Sequence, residues 1–265
     1  MNKFSKINFI TLFLLFFPIF IFAQTPQKIE QELVGLLDKM AEFSSYRGNY
    51  DGEKLGKIQA ELKSKILSYT KTVATLKYPF ESLKKKMTIA TSPDGKFRIY
   101  SWDLEDGGTM HSFDGIYQFQ DSSGKIYSKS RLAEGEEGDA GSFIPKIYEL
   151  NTKSGKVYLP ITSGIFSTQD HGQLVYAVKI FGKNLDEKVK IFKTNSGLTD
   201  SIGFGYNFFS VVDRKERPII LILFDSKTNI LKIPVVIENE KFPNGEVTNR
   251  FINYKFNGTN FVKAN

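Results

Sequence analysis

The sequence predicts an α+β fold: an N-terminal helical hairpin over residues 24–86, followed by an antiparallel all-β meander over residues 87–265. Three observations carry this. Between Lys28 and Leu76, apolar residues recur at steps of three and four, the period of one face of a helix. Beyond Lys86, β-branched and aromatic residues dominate and turn signals punctuate the chain at short intervals. Three of those turns, at residues 93–96, 122–125 and 153–156, end in Gly-Lys, and each leads into an aromatic-bearing strand.

Residues 1–23 read as a cleaved signal peptide. Lys3 and Lys6 form a positive n-region, the run from Phe9 to Phe22 is apolar apart from Thr11 and Pro18, and Ala23 offers a small residue for cleavage. A membrane span needs roughly 20 apolar residues, more than this run supplies, so an uncleaved anchor is the alternative. The chain has no cysteine, which excludes a disulfide framework, thiolate chemistry and lipid attachment at the cleavage site. An exported chain without disulfides is held by its core alone, which fits a bacterial periplasm or exterior. The expectation is a periplasmic or secreted protein, not integral to a membrane once the signal is removed. The net charge of +7 is spread over scattered lysines, and no basic stripe exists to track phosphates, so no nucleic-acid partner is expected.

In the first helix Ile29, Leu33, Leu36, Met40 and Phe43 make one stripe. Asp51 is placed to cap the second helix, whose stripe of Leu55, Ile58, Leu62, Ile66, Tyr69, Val73 and Leu76 runs to Tyr78-Pro79. This near-heptad seam suits the first helix as partner; the alternative is a docking surface for another protein. In the β region, strands are predicted at residues 97–102, 126–129, 157–159, 173–181, 188–192, 202–212, 218–224, 230–237, 247–256 and 260–263. Gly95, Gly124 and Gly155 would supply the positive φ that closes hairpins.

The hairpin Ser92-Pro-Asp-Gly-Lys96 resembles those in blades of bacterial β-propellers of the TolB and WD-repeat type. It departs from that pattern in period, since a four-stranded blade takes about 40 residues and the glycines here recur at a shorter interval. The sequence therefore favours a sandwich or partly closed barrel, with a small propeller as the alternative. The leader, the lysine- and phenylalanine-rich composition and the junction Phe22-Ala23-Gln24 resemble exported proteins of Bacteroidota-type bacteria. That resemblance implies export and no particular activity.

No nucleophile elbow, phosphate-binding loop, His-Glu-x-x-His or dinucleotide fingerprint is present; Gly203-Phe-Gly205 stops short of the last. With two histidines, a three-histidine metal site is impossible. No cofactor or metal is expected. Residues 91–113 hold the single tryptophan, Trp102, and His111 beside Asp103, Asp106 and Asp114. Strand alternation points His111 and Asp114 to opposite faces. If residues 104–109 close a symmetric hairpin, Trp102 stands opposite His111, Tyr100 opposite Phe113 and Arg98 opposite Gly115. One face then carries Arg98, Tyr100, Trp102, His111, Phe113 and Tyr117, a candidate ligand-binding face for a glycan, a peptide or an envelope protein. The alternative packs those rings into a second layer.

Asp170-His171-Gly172 reads as a turn, residues 134–141 as a solvated acidic loop or a calcium loop, and Asn257-Gly-Thr259 as the last hairpin turn or a glycosylation acceptor. The leading expectation is an exported, non-enzymatic binding module. The runner-up is a hydrolase of envelope polymers using His111 with Asp103 or Asp170.

Overall fold

The computed structural model describes residues 24–132 and 139–264, with the side chains of 139 and 140 left aside. Residues 1–23, expected to form a signal peptide, and most of the acidic loop therefore lie outside the described residues. Helix α1 (Pro26–Glu42) is capped by Thr25, with Pro26 in its first turn. Helix α2 (Gly52–Tyr69) starts at the expected cap, where Asp51 Oδ1 accepts from the Lys54 N–H at 3.1 Å. It stops at Tyr69, short of the expected end. Thr70 turns its hydroxyl back onto the Ile66 carbonyl, and Thr72 caps a separate short helix, α3 (Val73–Lys77). Val73 thereby leaves the seam and is exposed. Leu62 and Ile66 are fully buried against α1, so the seam is spent within the chain and the docking alternative loses its surface. Each such side chain contributes about 1.5–3 kcal/mol by leaving water.

The first sheet runs β1 (Thr88–Thr91), β2 (Phe97–Asp103), β3 (Ser112–Gln120) and β4 (Ile126–Ser130), with β5 (Asp139–Ala140) on β3. The second is built on β6 (Ser142–Thr152), β7 (Gly155–Ile165) and β8 (Asp170–Tyr176). Two small hairpins follow, β9 (Lys179–Phe181) with β10 (Asn184–Asp186), and β11 (Phe192–Thr194) with β12 (Gly197–Thr199). β13 (Ser201–Asn207) then returns to pair with β8. The chain ends with β14 (Leu223–Asp225), β15 (Ile230–Ile237), β16 (Glu246–Phe256) and β17 (Phe261–Lys263), which join β11 and β12 in the third sheet. Gly95, Gly124 and Gly155 adopt φ of +69°, +87° and +105° in the three look-alike turns.

The layers stack as helices, first sheet, second sheet, third sheet. Tyr100 and Trp102 on β2 pack with Ile29, Leu33, Leu62 and Ile66 of the helices. Phe97 and Ile99, pointing the other way, meet Ile144, Ile147 and Tyr158 of the second sheet. Val157, Leu159 and Ile161 of β7 face Leu231, Ile233 and Phe261 of the third. β2 and β7 are thus buried on both faces, which explains their apolar residues at successive positions. Among the described residues none of the sheets closes, so the architecture is a layered, sandwich-like meander.

Several details depart from an unbroken antiparallel meander: the strands expected over 188–192 and 218–224 shorten to Phe192–Thr194 and Leu223–Asp225, and the one over 173–181 divides into β8 and β9. β11 and β17 pair in parallel, Phe192 opposite Phe261. The strand expected over residues 202–212 breaks at Asn207, whose side chain accepts from the Phe209 N–H and starts a 3-10 turn.

Candidate functional site

The β2–β3 ladder places the candidate face differently from the sequence expectation. Trp102 stands opposite Asp114, Tyr100 opposite Ile116 and Arg98 opposite Gln118. The connection is longer than a symmetric closure at residues 104–109, because the Leu104 N–H bonds the Ser112 carbonyl and leaves His111 in the loop. The offset from the expected register is odd, and with a two-residue side-chain period an odd slip moves one strand's residues to the other face.

Arg98, Tyr100 and Trp102 therefore share their side with Asp114, Ile116 and Gln118, beneath the helices, at 5%, 0% and 1% exposure. The Tyr100 hydroxyl donates to Gln118 Oε1 at 2.9 Å, and burial pushes it above its usual range. The Trp102 indole N–H has no partner among the described residues. Tyr117 and Phe113 lie on the opposite face. The Tyr117 hydroxyl is buried, donates to Glu187 Oε2 at 2.6 Å and meets the Tyr176 hydroxyl at 3.2 Å. The open aromatic face is replaced by a core layer, because covering β2 with helices removes more apolar area from water than leaving it free.

His111 emerges elsewhere, with its carboxylate. Nδ1 lies 2.5 Å from Asp103 Oδ2, and the Tyr46 hydroxyl sits 3.2 Å from both Asp103 Oδ1 and His111 Nδ1. Tyr46 comes from the loop between α1 and α2, a partner that no local pattern around His111 announces. Burial first, then the Asp103 charge, pushes the Tyr46 hydroxyl far up, so it stays protonated and donates to the carboxylate. The loop bearing the pair is tied to the helical layer. Ser45 bonds the carbonyls of Glu105 and Gly107, and Gln59 Nε2 donates to the Leu104 carbonyl at 2.5 Å. Asp114 is drawn away to Lys63 at 2.9 Å, as the alternation required.

His171, read as part of a turn, instead lies in β8 opposite Tyr206 and Ile165, and its ring stacks on Phe208 at 4.5 Å. The turn lies just before, where the Phe166 and Ser167 N–H groups bond the Asp170 carbonyl. The two histidines meet at one corner, since the His111 N–H donates to the Ile165 carbonyl at 3.1 Å. Burial, then the neighbouring His111, holds His171 below the usual imidazole range.

Beside this corner runs a groove of about 580 Å³ across the second sheet. Its floor is a cross-strand row of small residues: Ser142 opposite Gly164, Gly164 opposite Gly172, and Gly172 opposite Gly205. The Phe166 ring, 48% exposed, lies over part of the row, so that a Cβ on Gly164 would come within 2.7 Å of it. Gly205 is open, with nothing nearer than 3.7 Å to an added Cβ. Among the described residues, none that lines the groove is charged.

Asn257-Gly-Thr259 forms the β16–β17 turn, where Asn257 Oδ1 accepts from the N–H groups of Thr259 and Asn260. Among the described residues no helix is long and apolar enough to cross a membrane, and no group of three or more His, Asp or Glu side chains is placed to hold a metal ion. Compared with protein-family models, curated proteins and solved structures, the chain matches none.

Proposed function

We propose that the protein is an exported binding module of the bacterial periplasm or cell exterior that holds an uncharged, ring-bearing ligand, a neutral glycan, in the groove across its second sheet. The carrying observation is the row Ser142–Gly164–Gly172–Gly205. Glycine weakens a strand, by about 0.5–1 kcal/mol relative to alanine in the interior of an element. Gly164 and Gly172 carry the Phe166 ring on their bare backbone, and Gly205 beside them is left uncovered, so bare backbone is open there for a flat ligand to approach closely. Phe166 offers a ring face for the C–H face of a sugar, Thr162 offers a hydroxyl, and the volume lies in the range of small-ligand sites. Export rests on the leader and the absence of cysteine. Arg98, Tyr100, Trp102 and Tyr117 hold the scaffold beneath this reading, and the His111 N–H is bonded to the carbonyl of Ile165, next to the groove residues Gly164 and Phe166.

Titration calorimetry of the mature chain with neutral oligosaccharides and peptidoglycan fragments tests it, with Gly205→Val as the blocking variant. The expected result is binding to the neutral probes, weakened at least tenfold in Gly205→Val. Absence of binding across the panel, or equal affinity in the variant, overturns the reading.

A further inference from the structure

We propose that Asp103 and His111 form an acid–base site that hydrolyses a carboxylic ester on the ligand held in the neighbouring groove. The substrate class is an acylated neutral sugar, and in that respect the inference rests on the groove reading.

The ionised Asp103 carboxylate only accepts, so the hydrogen between it and His111 resides on Nδ1, and Nε2 is left with its lone pair. Nε2 finds no hydrogen-bond partner among the described residues, and the side chain is 30% exposed, so this nitrogen is open to a water molecule. The arrangement is held from several directions at once. The Glu105 N–H and the Tyr46 hydroxyl both donate to Asp103 Oδ1, at 2.8 and 3.2 Å. Glu105 itself adopts φ +62°, a left-handed conformation that non-glycine residues rarely take. At Gly107 any side chain would sit 2.2 Å from the Met110 carbonyl oxygen. An ordinary surface ion pair has no need of a strained loop pinned to another layer. The site also adjoins the groove, because Ile165, whose carbonyl holds the His111 N–H, lies between the groove residues Gly164 and Phe166.

In the step, Nε2 takes a proton from water as the water oxygen bonds to the ester carbonyl carbon. The Asp103 carboxylate stabilises the imidazolium that forms. The tetrahedral intermediate then expels the sugar alkoxide, the C–O bond breaks, and Nε2 returns its proton to the leaving oxygen. Ester and water become acid and alcohol, with no other reactant.

The test uses 4-nitrophenyl acetate and an acetylated neutral oligosaccharide as probes on the mature chain, with His111→Gln and Asp103→Asn as variants checked for native spectra by NMR. The expected result is hydrolysis above buffer that rises with pH along the NMR titration of His111. It should fall by about a hundredfold in His111→Gln, the scale of general-base assistance, and also in Asp103→Asn. Should one variant fail to fold, the other reads the same loss. A rate no greater than buffer, a rate unchanged in the folded variants, or a profile that ignores the His111 titration overturns the proposal. Glycan binding without His111-dependent hydrolysis retires this proposal alone, whereas His111-dependent ester hydrolysis without glycan binding retires the groove reading alone.

Discussion

Arg98 donates a single nitrogen, Nη1, to the carbonyls of both Tyr78 and Thr75, at 2.7 and 2.8 Å. Those carbonyls belong to the end of α3, where an unpaired backbone acceptor would otherwise be left in the interior. Nε reaches Thr91 at 2.8 Å, and the guanidinium lies 5.8 Å from the centre of the Phe80 ring. One side chain thus fastens the first sheet to the helical layer.

Replacing Arg98 with methionine leaves both carbonyls without a donor while keeping most of the volume. A loss of about 2–4 kcal/mol in unfolding free energy is expected, read by urea denaturation at unchanged slope. Arg98→Lys should recover only part of it, since a single ammonium that reaches the two carbonyls cannot also replace the Nε contact to Thr91.

Gly164 and Gly205 share one cross-strand row yet should respond oppositely to alanine. At Gly164 the new Cβ meets the Gly141 carbonyl at 2.9 Å as well as the Phe166 ring, a clash expected to cost about 1–3 kcal/mol. Gly205→Ala meets nothing closer than 3.7 Å and should gain about 0.5–1 kcal/mol through lost chain entropy in the unfolded state. Thermal unfolding of the pair reads the difference.

Asp94 and Lys156 set the behaviour at the pH extremes. Lys156 Nζ lies 2.7 Å from Asp94 and 2.8 Å from Glu149, joining the β1–β2 turn to the β6–β7 hairpin. Burial pushes Asp94 up, but hydrogen bonds from Lys156, Ser92 and the Lys96 N–H outweigh it and hold the carboxyl below its usual range. Its stabilisation is therefore complete above the unfolded carboxylate value near 4 and is lost as pH falls through the lower folded value. For Lys156, burial lowers and the two carboxylates raise, with a net rise. Its contribution is full below the unfolded lysine value near 10.4 and fades as pH climbs through the higher folded one. Asp94→Asn should flatten the acid limb of a stability–pH curve, and Lys156→Met the alkaline limb.

His171 acts in the neutral range. Its folded value is depressed, so the unfolded chain takes up the proton first. Stability is full above the unfolded imidazole value near 6.5 and declines as pH falls from there to the folded value. His171→Gln should remove that part of the slope in urea titrations between pH 8 and 5. In His111→Gln, with the like charge gone, the NMR titration of His171 should move upward.

Much of the fold was readable locally. Asp51 caps a helix whose stripe was visible, and Gly95, Gly124 and Gly155 turn where Gly-Lys endings marked hairpins. The candidate site was legible only in part. His111 and Asp103 could be named from their spacing, but Tyr46 comes from another layer. The glycine row was invisible because its members come from different strands and align only through the register.

By itself the sequence determined an α+β chain with a helical hairpin ahead of a β-meander, and the turns that separate its strands, because periodicity and turn chemistry act over a few residues. Tertiary structure alone decided that Arg98, Tyr100 and Trp102 are core while His111 meets solvent beside a glycine-floored groove. A register is chosen by the layers that cover a sheet, and a shift of one position exchanges its faces.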